Sequence, residues 1–361
     1  MIRNFSNISL LIIAGGKSSR MKQDKRLIEI NGTQLLEHLL IKASKENFSE
    51  IILCVEEILP FIKNLSNKYN ATIVVDKVKN SGAISGLTEG LKSIKTDWAL
   101  ALSCDMPFFE FQVVTPLLSH LDDSKVVMFE HQPLAAFYHN SMAESFSEAL
   151  NEGILKLRNI IEKVPHKILK LNSGDSFFNV NTPTDLRLAR GRAANINRKV
   201  PIISVIAPSS GTGKTIFIEK LISKLNELGI NVGVLKSDAH GFNLDIEGKD
   251  SWRFSQAGAK SVAVISPKSW LMIQETERRA DFSQIADKME NIDLILTESR
   301  SHATLPAISL YRGLDVPLIN ESVVAIFTNE KIDIDNILQC DLNDVDQALK
   351  VCLFLMGSVY I

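Results

Sequence analysis

Short, almost purely apolar runs recur along the chain, separated by longer stretches in which apolar residues return every three or four positions. In the first half the short runs are Ser9–Ile13, Ile51–Val55, Thr72–Val75 and Trp98–Leu102. Continuous apolar runs of this length read as strands buried on both faces of a parallel sheet. Between the first two, Leu36, Leu39, Leu40 and Ala43 fall on one face of a predicted helix. The second half repeats the rhythm: Ile202–Ile206, Val232–Leu235, Ser261–Ile265, Leu294–Thr297 and Val323–Phe327 read as strands. Helices are predicted there to begin near Lys214, Gly248, Ser283 and Asn343. Such alternation implies right-handed crossovers and an α/β class with two doubly wound domains, one in each half.

The rhythm pauses between Pro183 and Lys199. Thr182-Pro183-Thr184-Asp185 has the form of a helix start, with an N-cap Thr, a Pro at the first helical position and an acid at the third. That helix runs into the polar, basic stretch Gly191–Lys199 before the strand at Ile202, which puts the domain boundary there: 1–195 and 201–361. A length of 361 residues agrees with two domains. The five basic residues from Arg187 to Lys199 read as a solvated helix and linker.

Composition narrows the class. At 45% hydrophobic and 23% charged, the chain is neither disordered nor fibrous. Forty Lys and Arg against 42 Asp and Glu give no global attraction for nucleic acid or anionic lipid. The longest apolar run, Ile8–Ala14, is far short of the roughly 18 residues of a membrane span. It bears a faint likeness to a secretory signal, but Gly15-Gly16-Lys17 after it is better explained as a ligand loop. Four scattered cysteines without a CxxC pair read as reduced thiols, the expectation for a cytoplasmic protein. The seven histidines include no HExxH, which excludes the common zinc hydrolase motif.

The first candidate chemistry follows the first strand. Ile13-Ala14-Gly15-Gly16 lets the backbone turn and approach a ligand closely, and Lys17, Arg20 and Lys25 follow. Paired glycines alone would be a tight turn; with three cations behind them, the loop suits a triphosphate. Asp76 and Asp105 each close a predicted strand, and ligands of open parallel sheets sit at the carboxyl ends of strands. Asp105 is the candidate for Mg²⁺, which binds one or two carboxylates plus phosphate oxygens. Taken singly, either acid could equally be a turn former.

Leu11-Ile-Ile-Ala-Gly-Gly-Lys-Ser-Ser-Arg-Met-Lys-Gln-Asp-Lys25 resembles the signature of the molybdenum cofactor guanylyltransferases. Ser81–Leu87 resembles their GPLAG loop, Ser103-Cys-Asp105-Met-Pro107 their CD-P motif, and Phe178–Pro183 their NVNTP motif. The resemblance implies a Rossmann-like nucleotidyltransferase fold in which Ile13, Ala14, Gly15, Gly16 and Lys25 hold GTP. It also implies that Asp76 contacts guanosine and Asp105 holds Mg²⁺. Arg20 and Lys25 would neutralise the triphosphate, and Asn179 and Asn181 would help close the site, although Asn residues beside a helix cap are as readily structural. Lys22 stands where the family has Gly, and Cys54 near where some members carry a base-contacting Asn. The implied reaction joins GMP to the terminal phosphate of molybdenum-molybdopterin and releases pyrophosphate.

A second loop follows Ile202–Ile206. Pro208-Ser-Ser-Gly211-Thr212-Gly213-Lys214-Thr215 has the spacing of a phosphate loop, except that Pro208 replaces the first glycine. Backbone N–H groups at the helix start would cradle phosphates, Lys214 would reach the β- and γ-phosphates, and Thr215 would bind Mg²⁺. Glu298, closing the run Leu294–Thr297, is a candidate second acid at that ion or a solvent-facing strand end. With Gly233–Lys236, Gly248–Ser251 and Ala257-Gly258-Ala259, this half resembles the MobB family of GTP-binding accessory proteins of guanine dinucleotide cofactor assembly, and so implies a P-loop NTPase-like fold. It departs at Lys236-Ser237-Asp238-Ala239-His240, where the family has Lys-His-x-His-His, and at Glu298-Ser299-Arg300-Ser301, where it has Glu-Gly-Phe-Lys. Hydrolysis in this half is therefore expected to be weak or absent.

The resemblances imply a guanylyltransferase fused to a GTP-binding adapter, with GTP and molybdenum-molybdopterin as ligands. They also imply molybdoenzyme apoproteins and other cofactor-biosynthesis proteins as partners. Two alternatives stand beside this reading: a nucleotidyltransferase using CTP or another phosphorylated acceptor, and a non-catalytic regulatory NTP-binding protein.

Overall fold

The computed structural model describes residues 4–15, 21, 24–79, 81–171, 175–237, 246–278, 280–299, 304–313 and 316–357. The chain divides into two units: Met1–Ala193 with the short segments Ile334–Ile337 and Gly357–Ile361, and Ala194–Asp333 with Leu338–Met356.

The first unit contains β1 (Ile8–Ile13), β2 (Glu29–Ile30), β3 (Thr33–Gln34), α1 (Leu35–Ala43), β4 (Glu50–Val55), α2 (Pro60–Lys68), β5 (Thr72–Val75), α3 (Ala83–Ser93) and β6 (Trp98–Ser103). It continues with β7 (Val126–Phe129), β8 (Ala135–His139), α4 (Met142–Asn151), α5 (Leu157–Ile161), β9 (His166–Leu169) and α6 (Pro183–Ile196). Seven strands form one sheet in the order β5-β4-β1-β6-β8-β7-β9. The strands β5, β4, β1 and β6 are mutually parallel, and β8 runs antiparallel to both of its neighbours. Central β1 is buried throughout, and its alternate residues serve two layers. Leu10 and Ile12 pack with Leu36, Leu39 and Leu40 of α1, whereas Leu11 and Ile13 pack with Ile84, Leu87 and Leu91 of α3. Each such fully buried Leu or Ile stabilises by about 1.5–3 kcal/mol before entropy is counted. Expected as a buried strand, Thr72–Val75 is instead the sheet edge, and Val75 is exposed.

The second unit contains β10 (Ile202–Ile206), α7 (Lys214–Glu227), β11 (Val232–Lys236), α8 (Asp250–Gln256), β12 (Ser261–Ile265), β13 (Trp270–Gln274) and α9 (Phe282–Ala286). Beyond these lie β14 (Leu294–Ser299), β15 (Ala307–Tyr311), β16 (Val323–Thr328), β17 (Leu338–Asp341) and α10 (Val345–Met356). A six-stranded parallel sheet runs β11-β14-β10-β15-β16-β17. Ser261–Ile265 does form a strand, but outside this sheet. It pairs with β13, as an antiparallel hairpin whose Ile265 and Trp270 are exposed.

The polar stretch after Pro183 departs from the expected linker. Helix α6 continues to Ile196, three residues beyond Ala193. Its start is as expected: the Thr182 hydroxyl accepts from the Asp185 N–H, and the Asp185 carboxylate accepts from the Thr182 N–H. Arg192, expected to be solvated, is buried. Its guanidinium lies 4.5 Å over the Phe108 ring and donates to Asp175 at 2.9 Å. A basic residue can turn inward when a ring face and a carboxylate replace its water. Asn195 is buried as well, accepting from the Ile202 N–H and donating to the Leu355 carbonyl.

Candidate functional site

In the first unit the parallel strands β1, β4, β5 and β6 present their carboxyl ends together. Gly15 follows β1, Glu56 follows β4, Asp76 follows β5, and Asp105 lies two residues past β6. Backbone hydrogen bonds lock these strand exits to one another: Ala14 donates to Cys54, Asp76 to Val55, and Cys104 to Ile13. Ile13 and Ala14 are buried in this frame.

The centre of the site is a three-residue cluster. The Lys25 ammonium donates to the Asn181 side-chain oxygen at 2.5 Å and pairs with Asp105 Oδ2 at 3.3 Å. Lys25 opens a short 3₁₀ turn, Lys25–Leu27, whose N-cap is Asp24. The Asp24 carboxylate accepts from the Arg26 backbone and, at 2.6–3.1 Å, from its guanidinium. Asp105 is tied to the loop before α6, where the Val180 N–H donates to the Asp105 carbonyl. The Asn181 N–H in turn donates to Asp185. Among the described residues, Asp105 Oδ1 is buried without a hydrogen-bond partner. A buried, unpartnered carboxylate oxygen is costly unless a cation completes it. Neither unit has three or more His, Cys, Asp or Glu gathered for a metal among its described residues. Any ion held here would therefore share its coordination with phosphate oxygens, as Mg²⁺ does.

Asp76 forms a second focus. The residue is 6% exposed, and Oδ1 has no partner among the described residues. Burial first, and then the charges of Glu56 and Glu89, push this carboxyl up to about 6. The glycines around it make room: a Cβ at Gly15 would lie 2.7 Å from Asp76 Oδ2, and one at Gly86 3.3 Å from Oδ1. Ser81 and Ser85 fold the segment after Asp76 onto the start of α3, bonding the Val78 carbonyl and N–H. Gly82, at φ +66°, is the N-cap of that helix.

Not every expected residue joins the cluster. Asn179 turns its amide back onto the Phe177 carbonyl at 2.8 Å, a local turn contact. Cys54 is fully buried, and its Sγ would lie 2.8 Å from a Cβ at Gly90. The thiol therefore belongs to the packing of α3 on the sheet. Gly16 and Arg20, together with Lys17 and Lys22, lie outside the described residues, as do Asp238–His240 and Arg300–Ser301.

The second unit has the expected strand, loop and helix. Helix α7 starts at Lys214 directly after its N-cap Gly213 at φ +95°, and Gly211 has φ +77°. Both conformations are ones that glycine adopts without a steric cost. Thr212 is buried, and its hydroxyl donates to the Ser209 carbonyl at 2.9 Å. Lys214 Nζ donates to the same carbonyl at 3.0 Å. Thr215 Oγ1 donates to Glu298 Oε2 at 3.2 Å, because Glu298 on β14 pairs with Val205 on β10. One participant was not foreseen from the sequence: Arg312, just past β15, donates from Nε to the Thr212 carbonyl at 2.7 Å. No local pattern marks Arg312; its place depends on β15 pairing beside β10.

Comparison with known proteins matches both halves. Residues 10–168 match the MobA-like NTP transferase domain, and residues 202–329 match Molybdopterin guanine dinucleotide synthesis protein B. A molybdopterin-guanine dinucleotide biosynthesis adapter protein of Haemophilus influenzae is 34% identical over 42% of this chain and 87% of its own length. The adapter protein of Escherichia coli is 33% identical over 41% of this chain and 88% of its own length. A probable molybdenum cofactor guanylyltransferase of Trichormus variabilis is 26% identical over 52% of this chain and 92% of its own length. The chain therefore belongs to the MobB family through its second unit, carried on the same polypeptide as a MobA-like NTP transferase domain, which makes it a nucleotidyltransferase.

Proposed function

We propose that the first unit transfers GMP from GTP to the terminal phosphate of molybdenum-molybdopterin, releasing pyrophosphate, and that the second binds GTP as a fused adapter. The observation that carries the transferase reading is the Lys25–Asp105–Asn181 cluster at the carboxyl ends of β1 and β6. In this reading the terminal phosphate oxygen of the acceptor attacks the α-phosphorus in line, and the bond from that phosphorus to the bridging oxygen of pyrophosphate breaks. Lys25, held between Asp105 and Asn181, places one positive charge where the triphosphate lies. Gly15 lets the backbone approach the ligand, and Asp76 accepts from donors of the guanosine. Asp105 and Oδ1 in particular suit a Mg²⁺ ion, which would neutralise phosphate charge and so favour departure of pyrophosphate. The chain needs no protein nucleophile, because positioning and electrostatics suffice for phosphoryl-group chemistry.

For the second unit, Gly211, Thr212, Gly213, Lys214 and Thr215 are proposed to hold the phosphates of GTP, with Thr215 and Glu298 at its Mg²⁺. No helix among the described residues is long and apolar enough to cross a membrane. The deciding experiment is pyrophosphate release from the full chain with molybdenum-molybdopterin, Mg²⁺ and either GTP or CTP. Release with GTP is expected, and faster release with CTP would overturn the guanosine assignment.

A further inference from the structure

We infer that Arg312 is a positioning residue of the second phosphate loop. It fixes the orientation of the Thr212–Gly213 peptide so that the Gly213 N–H faces the phosphate chain of a bound nucleoside diphosphate or triphosphate. The inference rests on the P-loop reading above and adds to it a residue outside the loop motif.

Three observations converge on this peptide. Arg312 Nε donates to the Thr212 carbonyl at 2.7 Å, a charge-assisted hydrogen bond. The same guanidinium lies close against the next residue: a Cβ at Gly213 would sit 3.0 Å from its Nη2 and 3.7 Å from both Nε and Cζ. Gly213 also holds φ +95°, so glycine is required there for backbone conformation and for space. In a planar trans peptide the C=O and the following N–H point in opposite directions. Anchoring the Thr212 oxygen towards Arg312 therefore turns the Gly213 N–H away from Arg312. That N–H immediately precedes the first turn of α7, whose own leading N–H groups have no partner within the helix. Successive amides aimed the same way make an anion nest, and a flipped Thr212–Gly213 peptide would put a carbonyl oxygen in it instead.

The loop has other internal ties, and those among the described residues act on a different oxygen. Thr212 Oγ1 and Lys214 Nζ both go to the Ser209 carbonyl. These bonds close the loop, and the Arg312 contact sets the sense of the peptide at its end. Pro208 at the head of the loop has no N–H to offer, which leaves the nest more dependent on the amides at its other end.

The test compares nucleotide affinity of the full chain with those of Arg312→Met, which removes the donor, and Arg312→Gln, which keeps an amide donor without the charge. Lys214→Ala is measured alongside, and the binding it abolishes defines the second site. Arg312→Met is expected to weaken GDP and GTP alike by about tenfold at that site. It should leave the melting temperature unchanged, and Arg312→Gln should recover most of the lost affinity. A loss confined to GTP would mean direct contact with the γ-phosphate and would overturn the positioning role. So would equal losses in the Met and Gln variants, which would make charge alone responsible. Unchanged affinity in Arg312→Met, with Lys214→Ala still abolishing binding, would end the inference and leave the P-loop reading standing. Absence of any Lys214-dependent binding in the wild type would overturn both.

Discussion

The two glycine loops begin alike and are completed in opposite ways. Each leaves the carboxyl end of a buried central strand, β1 or β10, and each carries glycine: Gly15 where a Cβ would meet Asp76, and Gly211 and Gly213 at positive φ. The second loop passes straight into α7, so its amides and Lys214 come from one continuous segment. In the first unit, by contrast, the first α-helix among the described residues is α1, which starts at Leu35. The polar cluster of that site is gathered from distant parts of the chain: Lys25, Asp105 eighty residues later, and Asn181 beyond that. On the proposed reading, the second loop offers backbone donors in sequence, and the first site offers side chains brought together by the sheet. A backbone nest suits stable holding of an anion, whereas an ammonium preorganised beside a carboxylate suits charge that develops during transfer.

The largest expected effect tests the distributed site. Asp105→Asn should reduce guanylyl transfer on the order of a hundredfold or more, since it removes the charge paired with Lys25 and the proposed ligand for Mg²⁺. GTP binding at the second loop should be unaffected, as read by titration of the same variant. Wild-type turnover at limiting Mg²⁺ would reduce Asp105 to a turn residue.

Lys214→Ala should lower nucleotide affinity at the second loop by on the order of a hundredfold or more, abolishing measurable binding there, while leaving transfer largely intact. If transfer fell as far as in Asp105→Asn, both loops would serve one catalytic machine and the contrast between them would collapse.

The smallest effect concerns Asp76, whose carboxyl is pushed up to about 6 by burial and then by Glu56 and Glu89. The folded state keeps this proton to a higher pH than the unfolded chain does. Stability is therefore lost as pH rises from about 4 towards about 6, and the loss persists above that. Asp76→Asn should then melt at a higher temperature than wild type at neutral pH, by on the order of 1–2 kcal/mol in stability. The two melting curves should converge towards pH 4. A constant difference across that range would mean that Asp76 does not titrate in the folded protein.

Several elements were legible because their causes are local. The apolar runs marked β1, β4, β6, β10 and β14, since a strand buried on both faces must be apolar throughout. Thr182 and Asp185 announced the start of α6, because a capping pair sits three residues apart. Gly213-Lys214-Thr215 announced the second loop, whose donors are consecutive in the chain. The strands β7, β8 and β9 were not singled out, and the antiparallel strand β8 interrupts a pattern read as parallel.

Packing decided the rest. Whether Arg192 is solvated or buried depended on a ring and a carboxylate from other segments. Cys54, beside a position of interest, became core because Gly90 lets α3 come close to it. Asn179 and Asn181 are two residues apart, yet only Asn181 meets Lys25. Arg312 carried no motif at all, and it reaches Thr212 because β15 lies next to β10. Spacing along a chain constrains neighbours within a few residues through fixed backbone geometry. Contacts across a hundred residues exist only once strand order is set, and strand order is chosen by the burial of whole faces together.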